Sequence, residues 1–569
     1  MKQKLIFISK MANLILAWFN FFMFFAMRCC WSGISKTLGY EDGYNPLIYW
    51  LPVIVWILFL LVFIANVLLY KLMKKESKVW SFIFNGVNII FLIVNLVIIK
   101  LGAIDYLDYI WPEFFNYLAL TVLVLAILFF IFIYPKSNLH NKKAFKLAAC
   151  GVVLLLAVDY LVNFSFNRFT TGPVVYAVED EYQIVFSSSV ESRAWVTIDG
   201  ERYFDNYNGS NRTYTKIHKV CVPMAVLDSA KEYEVHIQKF NYRGPFGGFA
   251  GRDICGGTYS FKPVNTSDGL EYYSISDIHM AKKASVLAAS HYDYELLILA
   301  GDIISMVDSF ADANYVNEVA YEMTKGSRAV IYARGNHEVK GKYAEELHKF
   351  VGALGEKFYY NVYLDGVYGI VLDIGEDHDD DWWEYYDTAD YLKYHQEQFD
   401  LLEAEIASKN YQNYNYRLVV CHIPPVYVNN RKDHEETKAK FTVLLNKMDI
   451  DMCISGHQHQ LLIFEPGVVK PNEVLYYNKD FSSKEKYKGY LTDFNFPCMT
   501  ISKRGKTQTD STTLTNMNEQ IGVYINVDFT KSMQNIAFNT SSGDLVSVVN
   551  PYAPINYGKN FSFQLNNNE

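Results

Sequence analysis

Charge is what this sequence has least of for its length. Only 20% of its 569 residues are Asp, Glu, Lys or Arg, against 51% hydrophobic, and the formal net charge is −9. A chain this apolar buries too much surface to stay disordered, and its length suggests roughly three or four domain-sized pieces. An excess of basic residues is missing too, so electrostatic capture of a phosphate backbone, and with it bulk nucleic-acid binding, is disfavoured. Cysteine is sparse, eight in all, and Cys221 and Cys255 are the only pair between residues 173 and 263. The glycine-rich run Arg243 to Gly251 lacks the Lys-Ser/Thr ending and the following apolar helix of a phosphate loop, and it reads as a flexible hairpin.

The little charge present is unevenly placed. Residues 1–166 hold 14 Lys/Arg against 7 Asp/Glu, whereas residues 167–569 hold 38 against 54. Apolar runs occupy 11–27, 47–70, 79–99, 114–134 and 147–166, the last interrupted only by Asp159. Each is close to the roughly 20 residues that a helix needs to cross a hydrocarbon core, so residues 1–166 are expected to form a bundle of about five transmembrane helices. Lysines gather before the first run, between the second and third, and between the fourth and fifth. The positive-inside rule then predicts a multi-pass cell-membrane protein with a cytoplasmic N-terminus, everything after residue 166 being extracytoplasmic and the lipid bilayer itself a partner.

Between 173 and 263 the pattern changes to short alternating segments such as Gln183–Phe186, Ala194–Ile198, Lys216–Val222 and Tyr233–Gln238, divided by turn residues. This predicts a small antiparallel β-sandwich. An extracytoplasmic setting permits a disulfide between Cys221 and Cys255, although spacing alone does not establish one.

Five motifs follow in order: Asp277-Ile-His279, Gly301-Asp302, Gly335-Asn336-His337-Glu338, His422 and Gly456-His457-Gln458-His459. Each comes directly after an apolar, strand-like run, and helix-like segments lie between them. In an α/β sheet this places all five on loops at the carboxyl ends of strands, where ligand sites form. Carboxylates, imidazoles and one amide together suit borderline divalent ions such as Mn, Fe or Zn, and two such ions suit hydrolysis of phosphate esters. The acidic and aromatic stretch Glu376 to Asp387 reads as a solvated surface loop, with a lid over the site as the other option.

In these five motifs the sequence resembles the calcineurin-like metallophosphoesterase superfamily, over residues 270–464 within a domain placed at 268–565. The resemblance implies an α/β four-layer αββα sandwich and two divalent ions. It implies that Asp277, His279, Asp302 and His459 hold one ion, and that Asp302 bridges to a second completed by Asn336, His422 and His457. By the same resemblance a metal-bridging hydroxide attacks phosphorus, His337 protonates the leaving group, and Glu338 orients the His337 ring. Arg334 resembles the arginine that holds substrate phosphate in protein phosphatases, and pairing with a structural carboxylate is its alternative. Asn336 would also touch substrate. The 173–263 segment resembles the fibronectin-type-III-like module that precedes the catalytic domain in purple acid phosphatases. Ser305, however, stands where their tyrosinate does, and His279 has no counterpart there, so a ferric tyrosinate centre is disfavoured. The expectation is thus a membrane-anchored phosphoesterase acting on small or lipid-linked phosphate mono- or diesters, with no protein partner inferable. The alternative is a membrane sensor or transporter whose outer domain only binds a ligand.

Overall fold

The computed structural model describes residues 167–566, apart from short stretches at 207–211, 244–247, 377–379, 386, 430–431, 460, 469–473, 478–486, 502–519 and 550–554, together with residue 90. The chain divides at Phe166/Asn167 into two units, and the architecture below is that of the second.

The first sheet opens with six strands, β1 (Phe169–Val178), β2 (Glu181–Ile198), β3 (Glu201–Phe204), β4 (Thr215–Pro223), β5 (Glu232–Gln238) and β6 (Ile254–Ser260), while Phe240–Arg243 and Gly248–Ala250 pair apart as a hairpin. In β5 the residues Tyr233, Val235 and Ile237 are buried and their neighbours point outward, as period-two alternation requires. Next come β7 (Leu270–Ile275), β8 (Leu296–Ala300) and β9 (Ala329–Ala333), with helices α1 (Lys282–Ala289) and α2 (Phe310–Thr324) between them. Every residue of β8 and β9 is buried, the mark of parallel strands covered on both faces. Helix α2 starts at Ser309, whose hydroxyl accepts from the Asp312 N–H while donating to the Asp312 carboxylate. This reciprocal cap is typically worth about 1 kcal/mol.

The second sheet comprises β10 (Tyr360–Leu364), β11 (Val367–Leu372), β12 (Tyr416–Cys421), β13 (Met452–Ser455), β14 (Leu462–Phe464) and β15 (Cys498–Thr500), and the chain then returns to the first sheet as β16 (Ile521–Asp528), β17 (Met533–Thr540) and β18 (Asn560–Gln564). The first sheet runs β18-β17-β16-β7-β8-β9-β1-β2-β5-β6, with β3 and β4 also on β2; the second runs β10-β11-β12-β13-β15-β14. The two lie face to face, joined by Tyr272 and Tyr416 hydroxyls 2.7 Å apart and by the Tyr360 hydroxyl on the Tyr332 carbonyl. Helices α1 and α2 cover the first sheet. Helices α3 (Tyr391–Ser408) and α4 (Lys432–Leu445) cover the second, where Phe399, Leu402, Phe441 and Leu445 pack on Ile370, Leu372, Val419 and Cys421. The four layers put β7, β8 and β9 of one sheet and β12 and β13 of the other in parallel, with their carboxyl ends at one edge.

Two expectations are corrected. Among the described residues no helix is long and apolar enough to cross a membrane, so a transmembrane helical bundle and a multi-pass placement with an extracytoplasmic catalytic domain are not supported. The longest described helix, α3, has 18 residues but carries Lys393, Glu397, Asp400, Glu403 and Glu405 on its outer faces, a pattern made for one buried stripe. Apart from residue 90, the runs 11–27, 47–70, 79–99, 114–134 and 147–166 lie outside the described residues. The segment 173–263 is likewise no self-contained sandwich. Its first strand, β1, runs parallel to β9 with Val175 beside Ala329, and so belongs to the same sheet as β7, β8 and β9. Strand β2 pairs with β1 and β4 along its first half and with β3 and β5 along its second, the register shifting between Ser187 and Ser192. Alternation tells which side chains face inward, but not which strand lies alongside.

Candidate metal centre

Each of the five motifs occupies the loop after its strand: Asp277 and His279 after β7, Asp302 after β8, Asn336 to Glu338 after β9, His422 after β12, and His457 with His459 after β13. Five of these residues, Asp277, His279, Asp302, His457 and His459, adopt positive φ between 43° and 68°. That conformation is costly for residues with a Cβ, tolerated best by Asp, Asn and His, and clusters where a site requires it. The loops interlock through main chain: the Asp277 N–H donates to the Gly301 carbonyl, that of His279 to Asp302, and that of Gly456 to His422. Gly335 is required here, because a Cβ on it would stand 2.2 Å from Asp302 Oδ1 and 2.3 Å from the Asp302 nitrogen.

Within this frame every acidic ligand is half used. Asp302 Oδ1 accepts from the His337 N–H, and Asp277 Oδ2 accepts from the His457 N–H and the Ser276 hydroxyl. The remaining oxygens, Asp302 Oδ2 and Asp277 Oδ1, are buried and make no hydrogen bond, and neither does His422 Nε2. The His422 ring donates from Nδ1 to the Ala300 carbonyl at 2.8 Å, which leaves Nε2 as the ligand atom, 3.2 Å from Asp302 Oδ2. On the other side His459 Nε2 lies 3.2 Å from Asp277 Oδ1 and 3.1 Å from His279 Nε2, and His279 Nε2 lies 3.6 Å from Asp302 Oδ2. Ligand atoms about 2.0–2.2 Å from a shared ion stand roughly 3 Å apart, so buried carboxylate oxygens and imidazole nitrogens at these separations fit a cation. Asp277, His279, Asp302 and His459 form one such cluster. A second group faces it across Asp302: His422, and Asn336 Oδ1 3.1 Å from His457 Nδ1.

The electrostatics point the same way. Burial alone would raise both carboxyls, yet the His459 imidazole holds Asp277, and the His422 imidazole holds Asp302, below the usual carboxylate range. Burial would lower His422, but the Asp302 and Asp277 charges override it and push the imidazole up to about 10. The pocket therefore attracts positive charge.

The residues around the ligands divide sharply. His337, 19% exposed at its side chain, donates Nδ1 to the Ser305 carbonyl at 2.8 Å and turns Nε2 towards Asp302 Oδ2 at 3.8 Å. Its ring is held by Ser305, not by Glu338 as the resemblance implied. Glu338 is fully buried, and its two oxygens accept from the N–H groups of Asp302, Ile303, Ile304 and Gly335. It is a positioning residue that ties two motif loops together; burial and the Asp302 charge push its carboxyl up to about 7. Arg334 pairs with buried Asp373 at 2.5 Å and stacks its guanidinium on Phe358, so of its two expected roles the pairing with a structural carboxylate is the one found.

The sequence pattern puts Glu376 on a solvated loop, yet it is 1% exposed and accepts from the Asn336 amide nitrogen at 3.1 Å. That bond turns Asn336 Oδ1 towards His457. The signal was present in the sequence: Asp373 to Glu376 follow the apolar strand β11, parallel to β12, and so reach the same edge as the five motifs. Further along the stretch, Asp380 caps the start of α3 through the N–H groups of Tyr391 and Leu392. Cys221 and Cys255 are both free thiols, not a disulfide, and Cys421 and Cys453 are buried and free.

Comparison with curated proteins finds no match. Fourteen chains of solved structures match, among them one titled GAP50, the anchor in the inner membrane complex of Plasmodium. It is 12% identical and covers 53% of this chain and 90% of its own, with a TM-score of 0.33. The family model for calcineurin-like phosphoesterases matches residues 272–461, which contain all five motifs. By the order of those motifs, and by the domain they build, residues 272–461 belong to the calcineurin-like phosphoesterase superfamily.

Proposed function

We propose that the chain hydrolyses phosphate mono- or diesters at a two-metal centre, one ion held by Asp277, His279, Asp302 and His459 and the other by Asp302, Asn336, His422 and His457. The observation that carries this reading is the orphaned Asp302 Oδ2, buried and flanked by His279 and His422 on two sides. Bound divalent ions of the Mn, Fe or Zn type supply charge for the phosphoryl oxygens and acidify a water at neutral pH. The chain itself does the rest. Asp302 and Asp277 stay ionised because imidazoles surround them. The Asn336 amide is fixed oxygen-inward by Glu376. With Nδ1 anchored on Ser305, His337 presents Nε2 at the more open side of the site, where it passes a proton to the departing oxygen.

The test is hydrolysis of p-nitrophenyl phosphate and bis(p-nitrophenyl) phosphate by the full chain. Turnover is expected to stop with chelator and to return with Mn, Fe or Zn. Asp302→Asn should lower it by at least ~10²–10³-fold, the scale on which losing one charge-stabilising group acts. Equal turnover by wild type and Asp302→Asn, or turnover indifferent to chelator, would overturn the proposal.

A further inference from the structure

We infer that a second, separate metal site lies on strands β5 and β6, built from Glu234, His236 and Cys255 and suited to one zinc ion. Tyr233, Val235 and Ile237 take the inward face of β5, so Glu234 and His236, two residues apart, share its outward face. Cys255 stands directly opposite His236 in the ladder, and the register slips between Glu234 and His236. That irregularity falls beside Gly256 and Gly257, and Gly257 has φ +108°. One nitrogen, one sulfur and one oxygen from these three residues all lie within 4.8 Å of one another.

Each ligand is held from behind. His236 stacks on Trp195, with centroids 5.1 Å apart and planes 7° from parallel, and its Nδ1 is bonded to Asp253 at 3.2 Å. A carboxylate on one ring nitrogen fixes the tautomer that offers the other to a metal. That other atom, Nε2, is buried and has no hydrogen-bond partner. It faces Glu234 Oε2 at 3.5 Å, close to the about 3.4 Å expected between two atoms that bind one ion tetrahedrally at ~2.0–2.1 Å. The second Glu234 oxygen accepts from the Thr258 hydroxyl at 3.1 Å, so Oε2 is left for the ion. Cys255 Sγ accepts from the Gly257 N–H at 3.4 Å, a bond that fixes where the sulfur stands.

Thiolate, imidazole and carboxylate together select zinc-like ions over magnesium or calcium. Three protein ligands leave a fourth position for water or an exogenous group. Because β6 is the last strand of its sheet, an ion here would clamp the sheet edge and present charge where another chain could otherwise add a strand.

Cobalt(II) distinguishes this site from the catalytic centre, which has no thiolate among its ligands. The metal-stripped full chain is titrated with cobalt and read for the sulfur-to-cobalt charge-transfer band in the near ultraviolet, and zinc is then added as competitor. A band is expected for wild type, Cys221→Ser and Asp302→Asn, and none for Cys255→Ser or His236→Ala. Asp253→Asn should keep the band and weaken zinc binding ~10- to 100-fold. Folded wild type without a band, or a band that survives Cys255→Ser, overturns the inference.

Discussion

At the residue scale, the site shows how much chemistry depends on partners that the ligands themselves do not reveal. Glu376→Gln keeps the shape of the residue, but it removes the charge that fixes the Asn336 amide. It should weaken metal binding ~10- to 100-fold while the fold is unchanged, which calorimetric metal titration would measure. Arg334 is a different case. Its partner Asp373 is fully buried, so Arg334→Met leaves an uncompensated charge, and breaking such a pair costs about 3–5 kcal/mol. Chemical denaturation should show that loss with KM nearly unchanged; a raised KM at wild-type stability would return Arg334 to substrate binding. The candidate ligands were legible in the sequence because an Asp-x-His or Gly-His-x-His run after an apolar strand has few other uses. For Glu376 the only trace was its place after an apolar strand, and for Ser305 there was none, since a main-chain carbonyl has no pattern until a neighbouring loop arrives.

At the element scale, strands that alternate were easy to place and their partners were not. Strand β4 illustrates the gap: Lys219 is itself buried within the run 217–220, and it is accommodated because its ammonium donates to the carbonyls of His348 and Val351 on a loop far along the chain. Burial lowers it from 10.5 to about 8. A depressed lysine favours the folded state above its unfolded pKa, and that contribution is lost as pH falls through the folded one. Wild-type stability should therefore gain from this group between pH 8 and 10.5, by about 3 kcal/mol at most. Urea unfolding at both ends of that window should show a smaller rise for Lys219→Met; an equal rise in the two proteins would mean that Lys219 titrates normally.

At the scale of the whole molecule, the segment ahead of the phosphoesterase motifs shares one continuous sheet with them instead of standing as a module in front. Strand β1 pairs with β9, the Tyr176 hydroxyl donates to Asn317, and Gln183 makes two bonds with the main chain of Ala353. Truncation to residues 265–569 would strip β1 from β9 and leave the edge of the catalytic sheet unpaired. Such a chain should aggregate or lack the cooperative calorimetric transition expected of the full chain, and a stable, active truncated protein would contradict the shared-sheet architecture. The sequence by itself determined which donor atoms are on offer: five motifs in order, each on a strand end, name the candidate ligands, because metal binding needs particular donor atoms and those are written residue by residue. It also determined which faces of the strands are buried, since alternation is local. Only the tertiary structure decided that β1 belongs to the catalytic sheet, that Glu338 and Arg334 serve the frame, that Glu376 aims Asn336, and that Cys255 meets His236 instead of Cys221. Those outcomes depend on which segments become neighbours, and strand pairing and burial are set by the packing of the whole chain.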